Sequence, residues 1–321
     1  MPESLPVGCT LPSSGAAADP TALGGLAQTA EELGFDSIWI SDHVVIPERI
    51  SSAYPYSVDG AFPTSPTQAY LEPLTTLGYL AGVTQRVRLG IAVLILPYRH
   101  PLLTAKMIAT LDNLSHGRVD LGIGVGWMRE EFLALGLPEE VYTHRGSATD
   151  EHLRVMTAVW TEDVAGFGGR FYQFERLGAH PHPVQKPHPP IWIGGHTGPA
   201  LRRVARYGDG WLPIGGRPPA DLPPSEVAAC ISRIREQAAE AGRDPSAIRV
   251  CFDTTIDFVA TDGRPFSGSS ESIAEQLSAY VEAGADSLVV SFGRQPPSDY
   301  QRSLQRFAAE VRPLLRERLK V

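Results

Sequence analysis

Short apolar runs alternate with amphipathic stretches along most of the chain. The run at residues 87–96 is almost continuously apolar, which is typical of a strand buried on both faces of a parallel sheet. The predicted strands are residues 7–11, 37–40, 87–96, 119–125, 191–193, 211–214, 249–260 and 288–291.

The amphipathic stretches between these strands predict helices. After the third strand, Leu103, Met107, Leu111 and Leu114 recur at intervals of three or four residues and predict a helix with one apolar stripe. Pro313 predicts a kink in the last helix, because proline has no backbone N–H to donate. The predicted helices are residues 21–33, 71–83, 103–114, 153–160, 199–207, 225–241, 273–281 and 300–319.

The repeated alternation of strand and helix predicts a parallel sheet with crossover helices. About eight such units indicate a closed barrel rather than an open sheet. We therefore predict the α/β class, with one (β/α)8 TIM-barrel domain over residues 1–321. Such a barrel needs ~250 residues, so the chain of 321 residues also holds insertions. We place these near residues 48–70 and 163–189, and the second contains a predicted hairpin.

Composition restricts the function classes. Hydrophobic residues make up 43% of the chain and charged residues 20%, as in a folded globular protein. The net charge of −8 disfavours nucleic-acid binding. No two of the three cysteines form a CxxC motif, which favours reduced thiols. With no signal peptide and no run long enough to span a membrane, we expect a cytoplasmic protein.

A histidine follows the second predicted strand. In TIM barrels, catalytic residues lie at the carboxyl ends of the strands, and His43 stands there with Asp42 before it. Histidine moves protons readily near neutral pH. We interpret His43 as a catalytic residue, although a packed or capping histidine bonded to Asp42 remains the alternative.

Glycines follow the fourth predicted strand at every second position. Gly122, Gly124 and Gly126 precede Trp127. This spacing is G-x-G-x-G, whereas a Rossmann dinucleotide site needs G-x-G-x-x-G and an acidic residue further on. We expect instead that these glycines let the backbone approach a flat ligand closely.

A second glycine-rich turn leads into the helix at residues 199–207. Gly194, Gly195, His196 and Thr197 lie between a strand and that helix. Backbone N–H groups at a helix N-terminus bind anions, so this turn predicts a phosphate site. A simple tight turn with a helix cap is the alternative.

Histidines and prolines alternate in the segment before residue 190. His180, His182 and His188 suggest metal ligands, but no carboxylate or cysteine beside them completes a ligand set. We therefore expect loop residues and no metal site.

Taken together, these motifs resemble the luciferase-like monooxygenase superfamily, and more closely its actinobacterial branch that uses the deazaflavin coenzyme F420. They occur in the family's order and span roughly residues 5–290. The motifs that carry the resemblance are residues 34–39, 41–43, 88–93, 115–119, 122–127, 169–172, 190–195 and 205–211.

The resemblance implies a barrel with insertions, in which His43 faces the reactive edge of the cofactor ring and helps proton transfer. It implies a cis peptide at Ala92–Val93 behind the ring, and a homodimer is compatible with it. The expected cofactor-binding residues are Asp42, His43, Ala92, Val93, Leu94, Gly124, Gly126, Trp127, Gly194, Gly195, His196 and Thr197.

The chain departs from the family members that oxidise sugar phosphates. Those members carry a tryptophan shortly after the histidine and a glutamate beyond the glycine loop, whereas residues 44–47 contain no tryptophan and Trp127 holds the glutamate's place. We therefore expect hydride transfer between F420 and a small organic substrate other than a sugar phosphate. The alternatives are an FMN-dependent monooxygenase that uses oxygen and a barrel that binds a flavin or other ligand without turnover.

Two further features bear on the cofactor and the substrate. Residues 48–69 form a long connection rich in aromatic residues and proline, which predicts a lid over the substrate, with a packed surface excursion as the alternative. Basic residues near the barrel mouth would favour the anionic tail of F420. The candidates are Arg99, Lys106, Arg129 and Arg145.

Overall fold

Eight parallel strands form a closed barrel at the centre of the molecule. The computed structural model describes residues 5–259 and 264–320. The barrel strands are β1 (Val7–Thr10), β2 (Ser37–Ile40), β3 (Arg88–Ile95), β4 (Val119–Gly124), β7 (Ile191–Gly194), β8 (Gly210–Leu212), β9 (Arg249–Thr255) and β10 (Ser287–Ser291), and β5 (Ala165–Gly168) and β6 (Gln173–Leu177) form a separate antiparallel hairpin. Around the barrel the order is β1-β2-β3-β4-β7-β8-β9-β10, and β10 pairs with β1. The predicted (β/α)8 barrel is confirmed.

Helices connect the barrel strands and cover the outside of the barrel. Most begin with proline in the first turn, where its fixed φ suits the helix and no N–H is needed. The helices are α1 (Pro20–Glu32), α2 (Pro73–Val83), α3 (Pro101–Leu114), α4 (Arg129–Ala134), α5 (Glu139–Thr143), α6 (Arg145–Thr161), α7 (Gly198–Tyr207), α8 (Pro224–Glu240), α9 (Ser270–Glu282), α10 (Pro297–Arg306) and α11 (Arg312–Leu319).

Two apolar layers hold the barrel together. The larger layer lies between the strands and the helices, and a smaller cluster fills the barrel interior. Trp39, Leu212, Cys251 and Val289 form the interior cluster. Because strand side chains alternate between faces, the residues two positions after Cys251 and Val289 also point inward, toward the barrel mouth.

Helix α3 forms as predicted, but only half of the predicted apolar stripe faces the core: Leu111 is buried and Met107 packs against the core. Leu103 and Leu114 are 55% and 64% exposed. The buried face carries mainly smaller side chains, among them Ala105, Ile108 and Ala109. Small residues let the helix approach the strands closely, and spacings of three and four fitted more than one face of the same helix.

The last helix is interrupted, as Pro313 predicted. A π-helical segment, Phe307–Val311, separates α10 from α11. The interruption begins before the proline, because Pro313 cannot donate to the carbonyl one turn earlier and the preceding turn widens.

Both predicted insertions lie between regular elements. Residues 41–72 connect β2 to α2, and residues 162–190 connect α6 to β7 and contain the β5–β6 hairpin. Within the described ranges 5–259 and 264–320, no helix has the length and apolarity that a membrane crossing requires.

The histidines of the second insertion have a carboxylate beside them. Donor atoms of Asp163, His180 and His182 lie within 4.8 Å of one another, and the rings of His180 and His182 stack at 4.3 Å between centroids. The sequence argument that no carboxylate accompanies these histidines is therefore wrong, because the hairpin returns the chain to Asp163. The histidines do lie in a loop, as predicted.

Candidate active site

A cavity of about 970 Å³ opens at the carboxyl ends of the barrel strands. Loops after different strands supply its walls, as in other TIM barrels. The first insertion forms part of one wall through Tyr54, Tyr56 and Phe62. Most of the predicted cofactor-binding residues line this cavity; they are Asp42, His43, Ala92, Val93, Gly124, Gly126, Trp127, Gly194, Gly195 and Thr197.

His43 is held by a buried glutamate that the sequence analysis missed. Its Nδ1 lies 2.6 Å from Oε2 of Glu131, and the Glu131 side chain is 0% exposed. A carboxylate accepts hydrogen bonds, so Nδ1 carries the proton and donates it. Nε2 is then the ring nitrogen left to exchange protons, and it has no protein partner among the described residues.

Glu131 is in turn fixed by several donors. The backbone N–H groups of Val44 and Val45 donate to Oε1 at 2.7 and 3.2 Å, and the Tyr98 hydroxyl donates to Oε2 at 2.9 Å. These bonds compensate for the burial of the carboxylate and fix its position. The only signal in the sequence was an acidic residue on the apolar side of α4, next to Phe132.

The carboxylate of Asp42 is hydrogen-bonded to other protein groups. It receives a bidentate ion pair from Arg99 at 2.8 Å for both bonds and the N–H of Ile95 at 2.9 Å. Arg99 also pairs with Glu72 at 2.9 Å. Asp42 therefore fixes β3 to the loop that carries His43, and Arg99 is not available for an anionic tail.

The peptide between Ala92 and Val93 is cis, as the resemblance implied. It lies where the pairing of β3 with β4 shifts register between Ile91 and Leu94. Ala92 and Val93 line the cavity. The side chain of Leu94 is fully buried in the outer core instead, because it points to the opposite face of the strand.

The glycines at the end of β4 and directly after it fit closely against neighbouring protein atoms. A Cβ on Gly122 would lie 2.1 Å from the carbonyl oxygen of Ile91, and one on Gly124 would lie 2.5 Å from Val93 Cγ2. Gly126 has φ of +81°, a conformation that favours glycine. Packing against the irregular part of β3 thus requires these glycines, whether or not a ligand approaches Gly124 and Gly126.

The predicted phosphate turn faces the cavity at the N-terminus of α7. Gly195 has φ of +87°, and Thr197 is the N-cap residue but makes no side-chain capping bond. Its hydroxyl and the first N–H groups of the helix are thus placed for an anion. His196 does not line the cavity, and its Nδ1 is buried without a partner among the described residues.

A shallow depression of about 210 Å³ continues from the phosphate turn across the surface of α7. It shares Gly146, Ser147, Pro199 and Arg203 with the main cavity. Arg202 and Arg206 line it, are exposed, and form no ion pair within residues 5–259 and 264–320. We call this depression the arginine trough.

Arg145 is the one of the four predicted basic residues that lines the cavity. Lys106 donates to the carbonyl of His180, and Arg129 forms an exposed pair with Glu139 at 2.6 Å. The basic surface near the phosphate turn therefore comes mainly from α7, which the sequence analysis did not consider for this role.

Aromatic side chains surround His43 on the side of the first insertion. The ring centroids of Phe62 and Tyr70 lie 4.9 and 5.0 Å from that of His43. Tyr54 packs between Phe62 and Trp127, at 4.9 and 5.2 Å. The insertion thus covers the side of the cavity that His43 lines, where a lid would lie, while its opening and closing stay a prediction.

The wall formed by β9 and β10 is polar. Asp253 and Thr255 on β9 and Ser291 on β10 line the cavity, together with Arg217 from the loop after β8. The Thr255 and Ser291 hydroxyls are 2.8 Å apart. Burial raises the pKa of Asp253 to about 6, and Arg217 partly counteracts the rise. The sequence analysis named none of these four residues, because none belongs to a recognisable motif.

Two curated proteins resemble the chain along most of its length. An uncharacterized protein of Mycobacterium tuberculosis (strain ATCC 25618 / H37Rv) is 32% identical over 287 residues, covering 89% of this chain and 92% of that protein. The phthiodiolone/phenolphthiodiolone dimycocerosates ketoreductase of M. tuberculosis (strain ATCC 25177 / H37Ra) is 32% identical over 224 residues. The match covers 68% of this chain and 56% of the ketoreductase.

Solved structures share the fold. An F420-dependent secondary alcohol dehydrogenase in complex with an F420-acetone adduct superposes with a TM-score of 0.77 at 19% identity, covering 98% of this chain and 99% of that one. A long-chain alkane monooxygenase has a TM-score of 0.77 at 15% identity, with 99% and 92% covered. The family model described as luciferase-like monooxygenase matches residues 7–263. The chain therefore belongs to the luciferase-like monooxygenase family.

Proposed function

We propose that this protein is an F420-dependent oxidoreductase that transfers hydride between the deazaflavin and the carbonyl or hydroxyl carbon of a small organic substrate. The observation that carries the proposal is the His43–Glu131 pair, which presents one free ring nitrogen to a cavity that also contains a phosphate turn. The ketoreductase relative and the secondary alcohol dehydrogenase fold support a carbonyl or alcohol substrate.

The residues of the cavity fit a ring with a phosphate-bearing chain. Gly124 and Gly194 add no side chain to the cavity that Val93 also lines, and a Cβ on either would lie within 3 Å of Val93. The uncapped N-terminus of α7 supplies N–H groups for the phosphate. When bound, the deazaflavin supplies a carrier of two electrons as hydride.

His43 would handle the proton of the reaction. When an alcohol is oxidised, Nε2 accepts the hydroxyl proton, and the resulting imidazolium lies against the carboxylate of Glu131. When a carbonyl is reduced, Nε2 returns that proton to the carbonyl oxygen. Phe62, Tyr70 and Trp127 exclude water from the ring of His43, which strengthens these interactions.

The arginine trough favours F420 over FMN. FMN ends at its phosphate, whereas F420 continues into an anionic tail that needs cations beyond the phosphate turn. Arg202 and Arg206 lie there without ion-pair partners among the described residues.

An FMN-dependent monooxygenase is the second candidate function. The description of the family model and the fold of the alkane monooxygenase favour it, and the phosphate turn suits either cofactor. A barrel that binds ligand without turnover would not need the buried Glu131 that orients His43.

Substitution of His43 tests the proposal. We expect His43→Ala to lower the rate at which reduced F420 is oxidised by methyl ketones by about 10²- to 10⁴-fold, with little change in the dissociation constant for F420. His180→Ala, in the exposed loop after the hairpin, is the matched control and should leave both values unchanged. Equal losses of turnover and cofactor affinity in His43→Ala would contradict a role in proton transfer.

A further inference from the structure

Asp253 on strand β9 is a polar residue inside the barrel mouth. Asp253 lies two residues after Cys251, which belongs to the interior cluster, so its side chain points into the barrel and lines the cavity. The residue is 9% exposed. Strand β9 is three strands from β2 around the barrel, so Asp253 lies on a different wall from the loop that carries His43.

Asp253 lacks the protein partners that a buried carboxylate needs. Its Oδ1 is buried and has no hydrogen-bond partner in the described part of the chain. An unpaired buried acceptor is costly. By contrast, the carboxylate oxygens of Asp42, which lines the cavity, and of Glu131, behind His43, all accept hydrogen bonds. The cost is recovered if a ligand in the cavity donates a hydrogen bond to Asp253.

Arg217 lines the same cavity as this carboxylate and interacts with it electrostatically without forming an ion pair with it. Its guanidinium donates to the Thr255 hydroxyl and interacts with the Tyr54 hydroxyl, while no hydrogen bond joins it to Asp253. The site therefore offers an acceptor and a donor that are close but not paired with each other. A hydroxyl group satisfies both, because it donates one hydrogen bond and accepts another.

We propose that Asp253 and Arg217 form a specificity-determining site for a hydroxyl group of the substrate that is separate from the reacting carbon. The inference rests on the proposed function, in which the reacting carbon lies near His43. The substrate class is thus a ketone or secondary alcohol that carries a second hydroxyl. Leu11, Pro12 and Ile214 contribute apolar side chains to the same cavity, which suits a carbon chain that joins the two polar ends.

The test uses straight-chain methyl ketones of increasing length, each with and without a hydroxyl on the last carbon. Binding to the F420-loaded protein is measured as the shift in melting temperature with ketone concentration, and turnover as oxidation of reduced F420. The variants are Asp253→Leu, Asp253→Asn and Arg217→Met. Cys251→Ala, which alters the same strand one layer below, is the control for packing.

We expect the wild-type protein to bind at least one hydroxylated ketone about tenfold or more tightly than its plain counterpart. Asp253→Leu should abolish this preference by weakening only the hydroxylated member, and Arg217→Met should reduce it. Asp253→Asn keeps an acceptor oxygen and should retain part of the preference even if the leucine variant does not fold. Cys251→Ala should retain it fully.

Three results would overturn the inference: no preference at any chain length in the wild-type protein, equal weakening of both members of a pair in the Asp253 variants, or loss of F420 affinity in those variants. Failure of the proposed function looks different, because the protein would then bind FMN rather than F420. Since the melting-temperature shift requires no turnover, the preference for hydroxylated ketones is measured with whichever cofactor binds.

Discussion

Glu131 determines what His43 can do. A histidine at the end of a barrel strand can have several roles. Here the buried Glu131 carboxylate accepts a hydrogen bond from Nδ1 and so fixes the tautomer and the orientation of the ring. The sequence predicted His43 because strand ends are recognisable from the hydrophobic pattern. It did not predict Glu131, because this partner lies on α4 and only the folded barrel brings the two residues together.

Glu131→Gln tests this positioning role. The glutamine side chain has nearly the same volume as glutamate. Its NH₂ group would, however, face hydrogen-bond donors that contact a carboxylate oxygen in the wild-type protein. The ring of His43 would therefore lose its orientation. We expect kcat to fall about 10²-fold with little change in KM, and the unfolding free energy to fall by about 1–3 kcal/mol. Steady-state kinetics and urea unfolding provide the measurements.

Glu139→Gln is the matched control, because Glu139 belongs to an exposed ion pair with Arg129 and exposed pairs contribute little. If Glu131→Gln raised KM and left kcat unchanged, Glu131 would bind substrate rather than orient His43.

At the scale of elements, the hydrophobic pattern predicted strands and helices well and their exact faces less well. The predicted apolar stripe of α3 is only half correct, since Leu103 and Leu114 are exposed whereas Leu111 is buried. Helix α6 shows the opposite case. It buries His152 completely, although a histidine in a helix is usually interpreted as a surface residue.

His152 should make stability depend on pH. Burial lowers its pKa to about 3, with smaller effects from His100 and Arg99, and both ring nitrogens are unpaired among the described residues. In the unfolded chain the pKa is about 6.5. The part of the stability that depends on neutral His152 is therefore fully present above pH 6.5. It is lost as the pH falls toward 3, because the unfolded chain binds the proton at a higher pH than the folded protein does.

We expect the wild-type unfolding free energy to fall by about 2 kcal/mol more than that of His152→Leu between pH 6.5 and pH 5. Urea unfolding at the two pH values measures the difference. Parallel behaviour of the two proteins would show that His152 is not the group that titrates.

At the scale of the whole molecule, the order of motifs predicted the closed barrel and the cavity at its carboxyl ends. The polar wall formed by β9 and β10 and the arginine trough were not predictable from the sequence. Each combines single residues that lie far apart in the chain. The trough nevertheless supports our proposal of F420, because it extends the cavity beyond the predicted phosphate turn. A homodimer stays a prediction.

Charge reversal in the trough should separate the two cofactors. We expect Arg202→Glu with Arg206→Glu to weaken F420 binding at least tenfold at low salt, with an effect that shrinks as salt screens the charges, and to leave FMN binding nearly unchanged. Arg235→Glu with Arg316→Glu makes the same charge change at exposed positions outside the trough and is the control. If both double variants weakened F420 equally, the effect would reflect net charge alone.

The most direct measurement is a parallel fluorescence titration of the wild-type protein with F420 and with FMN, each oxidised and reduced. We expect tight binding of F420 and weak binding of FMN. Tight binding of FMN alone would contradict it, and oxygen uptake with reduced FMN would then be the reaction to measure. Binding of neither cofactor would contradict the assignment of the phosphate turn at Gly194 and Gly195.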